Sequence, residues 1–268
     1  MLLDWTPGKR ISALPKFLWL PALIWRNIYF FPSNLADHLK HRDTVSTKEV
    51  LRGLALSVEY VFGAGVDGEI AEFGTMTGST ARCLAEAIAK YEGSKRLLLF
   101  DSFEGLPEAT SVIDKRSLHV RTGIWSVGTC HGVTSEQLFA MCRKHLAESQ
   151  IVIYEGWFAN TLQTVAADTR FAMLHIDSDL YQSAMDVLDH CFSRGMIARG
   201  AVIHFDDWDC NQADPSCGER RAWADVVEKY GVEYSDCGQY GWGSRKFIVH
   251  SYRGLESDED GVSRGHSK

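Results

Sequence analysis

The sequence predicts an α/β fold in which helices flank a mostly parallel, seven-stranded, doubly wound sheet. Three observations lead there. From about residue 48 onward, apolar runs of strand length alternate with helical segments, the pattern of successive βαβ units. Acidic residues stand just past several of these runs, where doubly wound sheets bind their ligands. With 268 residues, 45% of them hydrophobic, the chain can bury one sizeable core.

Residues 1–47 are expected to form an apolar, helical extension or lid. The run from Phe17 to Phe31 is broken by Pro21 and Arg26 and falls short of spanning length, so no transmembrane segment is expected. Tyr29-Phe-Phe-Pro32 offers no small-residue cleavage site. An interfacial anchor or a lid over an apolar acceptor would suit this segment. Its weak basic pattern favours packing on the domain, or on a second subunit in a homodimer or higher homo-oligomer.

The main domain is expected over 48–252. Helices are read at Lys48–Phe62, Thr80–Tyr91 (closed by Gly93), Ser135–Glu148, Ser183–Phe192 and Arg220–Tyr230. Strands are read at Glu69–Phe73, Arg96–Asp101, Ile151–Tyr154, Phe171–Ile176, Ala201–Phe205, Val232–Tyr234 and Arg245–His250. The tail over 253–268, charged and Ser/Gly-rich from Glu256, reads as disordered.

A net charge of -7 and the lack of a basic stripe argue against nucleic acid as a partner. The seven cysteines are odd in number, scattered and without CxxC, which fits reduced thiols in the cytoplasm. Cys210 and Cys217 read as incidental.

Two segments carry the chemistry. His175-Ile-Asp-Ser-Asp-Leu-Tyr181 places Asp177 and Asp179 after one strand, and Asp206-Asp207 follow Ala201-Val-Ile-His-Phe205 after the next. Like charges so close raise one another's pKa unless a cation neutralises them. An all-carboxylate set without a zinc-type Cys/His pairing suits a hard ion such as Mg2+, with Mn2+ or Ca2+ as other occupants. The same aspartates would also serve as turn residues or helix N-caps. His175 and His204 read as core or supporting residues. Asp177 and Asp179, two apart, share a face in extended geometry while Ser178 points away, so one can bind the ion and the other act as base.

The second segment, Gly68-Glu-Ile-Ala-Glu-Phe-Gly-Thr-Met-Thr-Gly-Ser-Thr80, sets the cofactor class. Gly74 and Gly78 allow close approach of a ligand, but the spacing is neither GxGxxG nor a P-loop. Glu72 would oppose a pyrophosphate and suits the cationic methionine part of S-adenosylmethionine. Asp101, at the end of the second strand, can accept both ribose hydroxyls. A tight turn and ordinary strand-end solvation would account for the same residues.

Together, Glu72-Phe-Gly-Thr-Met-Thr-Gly-Ser-Thr80, Asp101-Ser-Phe-Glu-Gly-Leu-Pro107, Gly156-Trp-Phe158 with Thr161-Leu162, the Asp177 segment and Phe205-Asp-Asp207 resemble the macrocin O-methyltransferase family over roughly residues 48–250. The resemblance implies a class I methyltransferase fold and metal-dependent methylation of sugar hydroxyls in natural-product biosynthesis. It implies Mg2+ at Asp177, Asp206 and Asp207 and a base at Asp179. The expected S-adenosylmethionine contacts are Glu72, Gly74, Thr75, Gly78, Ser79, Asp101, Ser102 and Phe103. Trp208 departs from the Tyr common in the family, and the Asp209–Cys217 loop has no match to carry over. The expected acceptor is a small hydroxylated molecule, a sugar or glycoside before a catechol. Metal-assisted hydrolysis and non-catalytic nucleotide binding are the readings from other classes.

Overall fold

The computed structural model describes residues 48–93 and 95–255. The extension expected over 1–47 and most of the expected tail lie outside them. The chain runs α1 (48–63), β1 (Glu69–Phe73), α2 (Ser79–Ile88), β2 (Leu97–Asp101), α3 (Val112–Arg116), α4 (Leu118–Arg121), α5 (Ser135–Cys142), β3 (Ile151–Glu155), α6 (Phe158–Thr161), β4 (Phe171–Ile176), α7 (Tyr181–Ser193), β5 (Ile197–Phe205), α8 (Gly218–Tyr230), β6 (Glu233–Gln239) and β7 (Arg245–Ser251). The strand order is β3-β2-β1-β4-β5-β7-β6, parallel from β3 to β5, with β7 antiparallel to both neighbours. This is the expected doubly wound, mostly parallel seven-stranded sheet.

Central strands of such a sheet carry helices on both faces, so their sequences are continuously apolar rather than alternating. All six residues of β4, Phe-Ala-Met-Leu-His-Ile, are buried. Phe73, Phe100 and Tyr154 occupy adjacent register positions on β1, β2 and β3 and stack with successive ring centroids 4.5 Å apart. Phe158 meets Phe73 edge-on at 5.6 Å, which joins this aromatic row to the carboxyl edge of the sheet.

Element ends differ from expectation where tertiary contacts decide them. β5 begins at Ile197 rather than Ala201, because its ladder with β4 skips across the Arg199-Gly200 bulge, where Gly200 has φ 82°. β6 extends to Gln239 as an exposed polar edge strand, which has no apolar signal to read. α7 starts at Tyr181 because a distant carboxylate, Asp114, receives the N–H groups of Tyr181 and Gln182. α3, α4 and α6 are short helices that periodicity did not predict.

The ladder continues one residue beyond the strands: Gly74 N donates to Phe100 O at 2.9 Å, Asp177 N to Phe73 O at 2.9 Å and Asp206 N to Ile176 O at 3.0 Å. Register therefore lines up Asp101, Gly74, Asp177 and Asp206 along one edge. Gly74 has φ 90°, and a Cβ there would lie 1.9 Å from the carbonyl oxygen of Asp177. Only glycine fits this crossing. Gly74→Ala is expected to destabilise the fold by roughly 2–4 kcal/mol in urea denaturation, from backbone strain plus displacement of Asp177; a loss under about 0.5 kcal/mol would show that the crossing adjusts freely.

Candidate active site

Beyond the carboxyl edge lies a cavity of about 730 Å³. Of the expected residues, Gly74, Thr75, Asp101, Ser102, Asp177, Asp179 and Asp206 line it, as do Trp157 and Phe158. Glu72, Gly78, Ser79, Phe103 and Asp207 do not.

Asp101 fastens the turn after β1. Its Oδ2 accepts from Thr75 N at 2.6 Å, Thr75 Oγ1 at 2.8 Å and Met76 N at 3.3 Å, and its Oδ1 accepts from Phe103 N at 2.7 Å. A carboxylate has about four acceptor positions, so little capacity remains for two further hydroxyls. The residue is first a clasp between strand ends. Phe103 shapes the clasp through its N–H and a left-handed backbone, φ 56°. Gly78 opens α2 at φ 72° and leaves room for Leu138 and Met141, while the Ser79 hydroxyl pairs with that of Thr77 at 3.0 Å.

The carboxylate cluster forms by a route other than strand alternation. β4 ends at Ile176, and Asp179 sits in the left-handed region with φ 59°. That turn folds Asp179 back, so that carboxylate oxygens of Asp177, Asp179 and Asp207 lie within 4.8 Å of one another. Asp206 stands beside them, with Oδ1 accepting from Ser244 Oγ at 3.1 Å and Tyr240 OH at 3.4 Å. Ser178 points away, as expected, into a residue that the sequence reading missed. Glu219, buried in the first turn of α8, accepts from Ser178 N at 3.2 Å and Ser178 Oγ at 3.4 Å on one oxygen, and from Asp207 N at 3.0 Å on the other. One side chain thus ties both acidic loops together.

Burial, then mutual repulsion, holds the carboxyls of Asp177, Asp179 and Glu219 well above the usual range and pushes Asp207 up to about 6. The proximity of Asp179 and Asp207 raises the carboxyl of Asp179 further. The Cys210 thiol, also pushed up by burial, donates to Asp207 Oδ1 at 3.1 Å, so this cysteine is part of the cluster's surroundings rather than incidental. Asp207 Oδ2 is buried and has no hydrogen-bond partner among the described residues.

Beneath the cluster, Glu72 departs from its expected place. It is fully buried, with Oε1 2.9 Å from His175 Nδ1, and does not face the cavity. His175 Nε2 lies 3.7 Å from Asp206 Oδ1. Burial opposes charge on this imidazole, but the two flanking carboxylates prevail and raise its pKa to about 9. His204 is buried with neither nitrogen paired, and burial lowers its pKa well below the ordinary value. Asp114, also missed, caps α7 with its two oxygens at 2.7 and 3.2 Å from the N–H groups of Tyr181 and Gln182, and it is itself bonded by Ser111. Asp179 is therefore not the cap of that helix. Tyr181 bonds Asp225, and Trp208 packs on Phe205 and Phe247, both away from the cavity.

The chain is similar to known proteins in sequence and in fold. The model of the family described as Macrocin-O-methyltransferase (TylF) matches residues 36–233. The 8-demethyl-8-(2,3-dimethoxy-alpha-L-rhamnosyl)-tetracenomycin-C 4'-O-methyltransferase of Streptomyces olivaceus is 30% identical over 234 residues, 82% of this chain and 84% of its own. Demethyldecarbamoylnovobiocin O-methyltransferase of Streptomyces niveus is 28% identical over 72% of this chain and 80% of its own. In fold, the chain is similar to the O-methyltransferase NovP (TM-score 0.59, 24% identity, 76% of this chain and 80% of that one) and to CalS11, calicheamicin methyltransferase (TM-score 0.59, 20% identity, 92% and 99%). The fold is thus of the class I methyltransferase type, and with a family model that takes in both acidic loops and a relative alike over most of both lengths, the chain belongs to the macrocin O-methyltransferase family and is an O-methyltransferase.

Proposed function

We propose that the protein transfers the methyl group of S-adenosylmethionine to a hydroxyl of a sugar in a glycosylated small metabolite, with Mg2+ at the acidic cluster. The observation that carries this reading is the position of the carboxylate cluster at the same cavity that the Gly74 turn and Asp101 line. The bare backbone at Gly74, the carboxylate of Asp101 and the rings of Trp157 and Phe158 suit a sulfonium-bearing nucleoside, and the volume admits donor and acceptor together.

The donor set fits a hard divalent ion: carboxylate oxygens converge, and Asp207 Oδ2 is buried without a hydrogen-bond partner among the described residues. Asp177 and Asp207 would hold it together with Asp206, whose Oδ1 is held by Ser244 and Tyr240. Such an ion would lower the pKa of an acceptor hydroxyl and favour its alkoxide. The chain's own residues do the rest. Asp179, folded toward the cluster and on the cavity wall, takes the hydroxyl proton. The aromatic row and the Gly74 crossing fix the strand ends that align oxygen, methyl carbon and sulfur. Glu219 and Asp114 position the loops without touching the reacting atoms.

Methylated product from S-adenosylmethionine and a sugar glycoside, seen by mass spectrometry and lost in excess EDTA, tests the whole reading. The assignment of roles has a sharper test. Asp206→Asn should weaken Mn2+ binding, followed by electron paramagnetic resonance, by about tenfold or more, whereas Asp179→Asn should leave it within about threefold and lower kcat roughly a hundredfold. The opposite pattern would exchange the two roles.

Glu219→Gln keeps the shape of the side chain and turns one acceptor into a donor that faces an N–H group. Mn2+ affinity should fall by about tenfold, while S-adenosylhomocysteine affinity, read by calorimetry, stays within about threefold. Equal losses of both would mean general disruption instead.

The raised pKa values also fix the sign of a pH effect. Carboxyls that keep protons to higher pH when folded stabilise the protein at low pH, and that stability is lost as the pH rises from the ordinary carboxylate range through about 6 for Asp207. His204, whose pKa is lowered by burial, contributes in the opposite direction over the same range, so the carboxyl effect is read from the ion: Mg2+ should raise the melting temperature by more at about pH 7.5 than at about pH 5. Calorimetric scans in which Mg2+ raises the melting temperature equally at both pH values, or more at the lower one, would contradict this.

A further inference from the structure

The loop after the Asp206-Asp207 pair carries backbone strain for which the proposed chemistry has no use. Asn211, Gln212 and Ala213 stand in succession in the left-handed region, with φ 56°, 60° and 56°. Residues with a Cβ seldom take this conformation, and a run of three persists only where the surroundings impose it. Helix α4 supplies the fastening. His119 N donates to Asn211 Oδ1 at 2.9 Å, and the ring Nδ1 lies 3.0 Å from Asn211 N and 2.8 Å from Asn211 Oδ1, so the imidazole bonds this residue whether it accepts or donates. Asn211 is buried, which keeps water from competing for these bonds.

The peptide unit that this contact fixes joins Asn211 to Cys210. Cys210 N donates to Asp207 O at 3.0 Å and its thiol to Asp207 Oδ1 at 3.1 Å, so one residue grips both the backbone and the carboxylate of Asp207. Burial pushes the thiol up, which keeps it a donor. With Oδ1 engaged in this way, Oδ2 is the oxygen that remains for an ion. The two halves of the arrangement also share one apolar support: Cys210 packs on the cluster of Leu106, Trp125 and Leu180, and His119 stacks on Trp125 with ring centroids 4.6 Å apart. Leu106 and Leu180 of that cluster line the cavity.

We propose, building on the metal reading above, that His119 is a positioning residue for Asp207: it seats the left-handed turn, the turn presents the Cys210 thiol, and the thiol turns Asp207 Oδ2 toward the ion. Neither His119 nor Cys210 takes part in the methyl transfer. Supporting contacts of this kind orient the groups that bind a metal and set its affinity. Because His119 belongs to the segment that also forms part of the cavity wall, that wall and the ion site are assembled as one unit.

The test compares two substitutions in the full chain. His119→Phe keeps the stacking on Trp125 and removes the ring nitrogens, whereas His119→Asn gives up the stacking and keeps a group that can bond Asn211. Mn2+ affinity, followed by electron paramagnetic resonance, should fall by about fivefold or more in His119→Phe and stay within about twofold of wild type in His119→Asn. Cys210→Ala should lose as much as His119→Phe, and the double variant should lose no more than about twofold beyond that, because both changes break one chain of contacts. Wild-type affinity in His119→Phe, an equal loss in His119→Asn, or losses that multiply in the double variant would overturn the proposal. A second measurement needs no ion: iodoacetamide should alkylate Cys210, read by peptide mass spectrometry, about fivefold faster or more in His119→Phe than in wild type or His119→Asn. Equal rates in all three would likewise overturn it. If the wild-type chain binds no Mn2+, the metal reading fails, and the alkylation rates still decide whether His119 seats Cys210 on Asp207. If His119→Phe does not fold, shown by loss of S-adenosylhomocysteine binding, Cys210→Ala against Cys210→Ser decides: the serine, which keeps a donor, should retain Mn2+ affinity within about threefold and the alanine should not.

Discussion

Like charge held close together at the edge of a sheet is the constraint around which this molecule is organised. Asp177, Asp179, Asp206 and Asp207 come from two adjacent strand ends, and Glu219 is buried behind them. Each would gain by moving apart or into water. The chain opposes that with short, specific contacts. Glu219 accepts from both acidic loops, Ser244 and Tyr240 hold Asp206, the Cys210 thiol donates a hydrogen bond to Asp207, and the His175 imidazole sits between Glu72 and Asp206. Behind these stand the rigid parts, the Phe73-Phe100-Tyr154 stack and the wholly buried β4, which keep the strand ends from relaxing. Loss of stability for the sake of a preorganised site is the usual trade in enzymes.

The sheet was legible because its central strands are apolar runs bounded by acids and glycines, and each run states its own end. Phe171–Ile176 is read from sequence and found in the structure with the same bounds. The edges were not: β6 is polar and exposed on nearly every residue, and β5 hides its first four residues behind a glycine bulge. α7 begins earlier than its own residues indicate, because its cap lies 67 positions away in Asp114.

The site shows the same division between local and distant causes. Which aspartates gather at one edge follows from counting along strands. How they gather does not, since Asp179 reaches the cluster through a left-handed backbone that no extended pattern contains. Glu72 appeared to be a cavity residue because it stands at a strand end, yet its partner, His175, is 103 positions on and holds it below the floor. Nothing in the local sequence marks Glu219 as a site residue. Only the approach of α8 to both loops gives it a role.

The stretch from Glu104 to Cys130 has anchors of its own. Leu106, Trp125 and Leu180 form a small apolar cluster apart from the main core, Asp114 grips α7, and His119 exchanges hydrogen bonds with Asn211 at 2.9 and 3.0 Å. Of the residues of that stretch that face the cavity, Leu106 is also one of those anchors, whereas Glu104, Glu108, Thr110 and Val127 are not. Apart from Leu106, the anchors of the segment and its cavity wall are thus written in different letters. Substitution at the second set can therefore reshape the cavity wall while the first keeps the segment seated, which uncouples the shape of the wall from the stability of the fold.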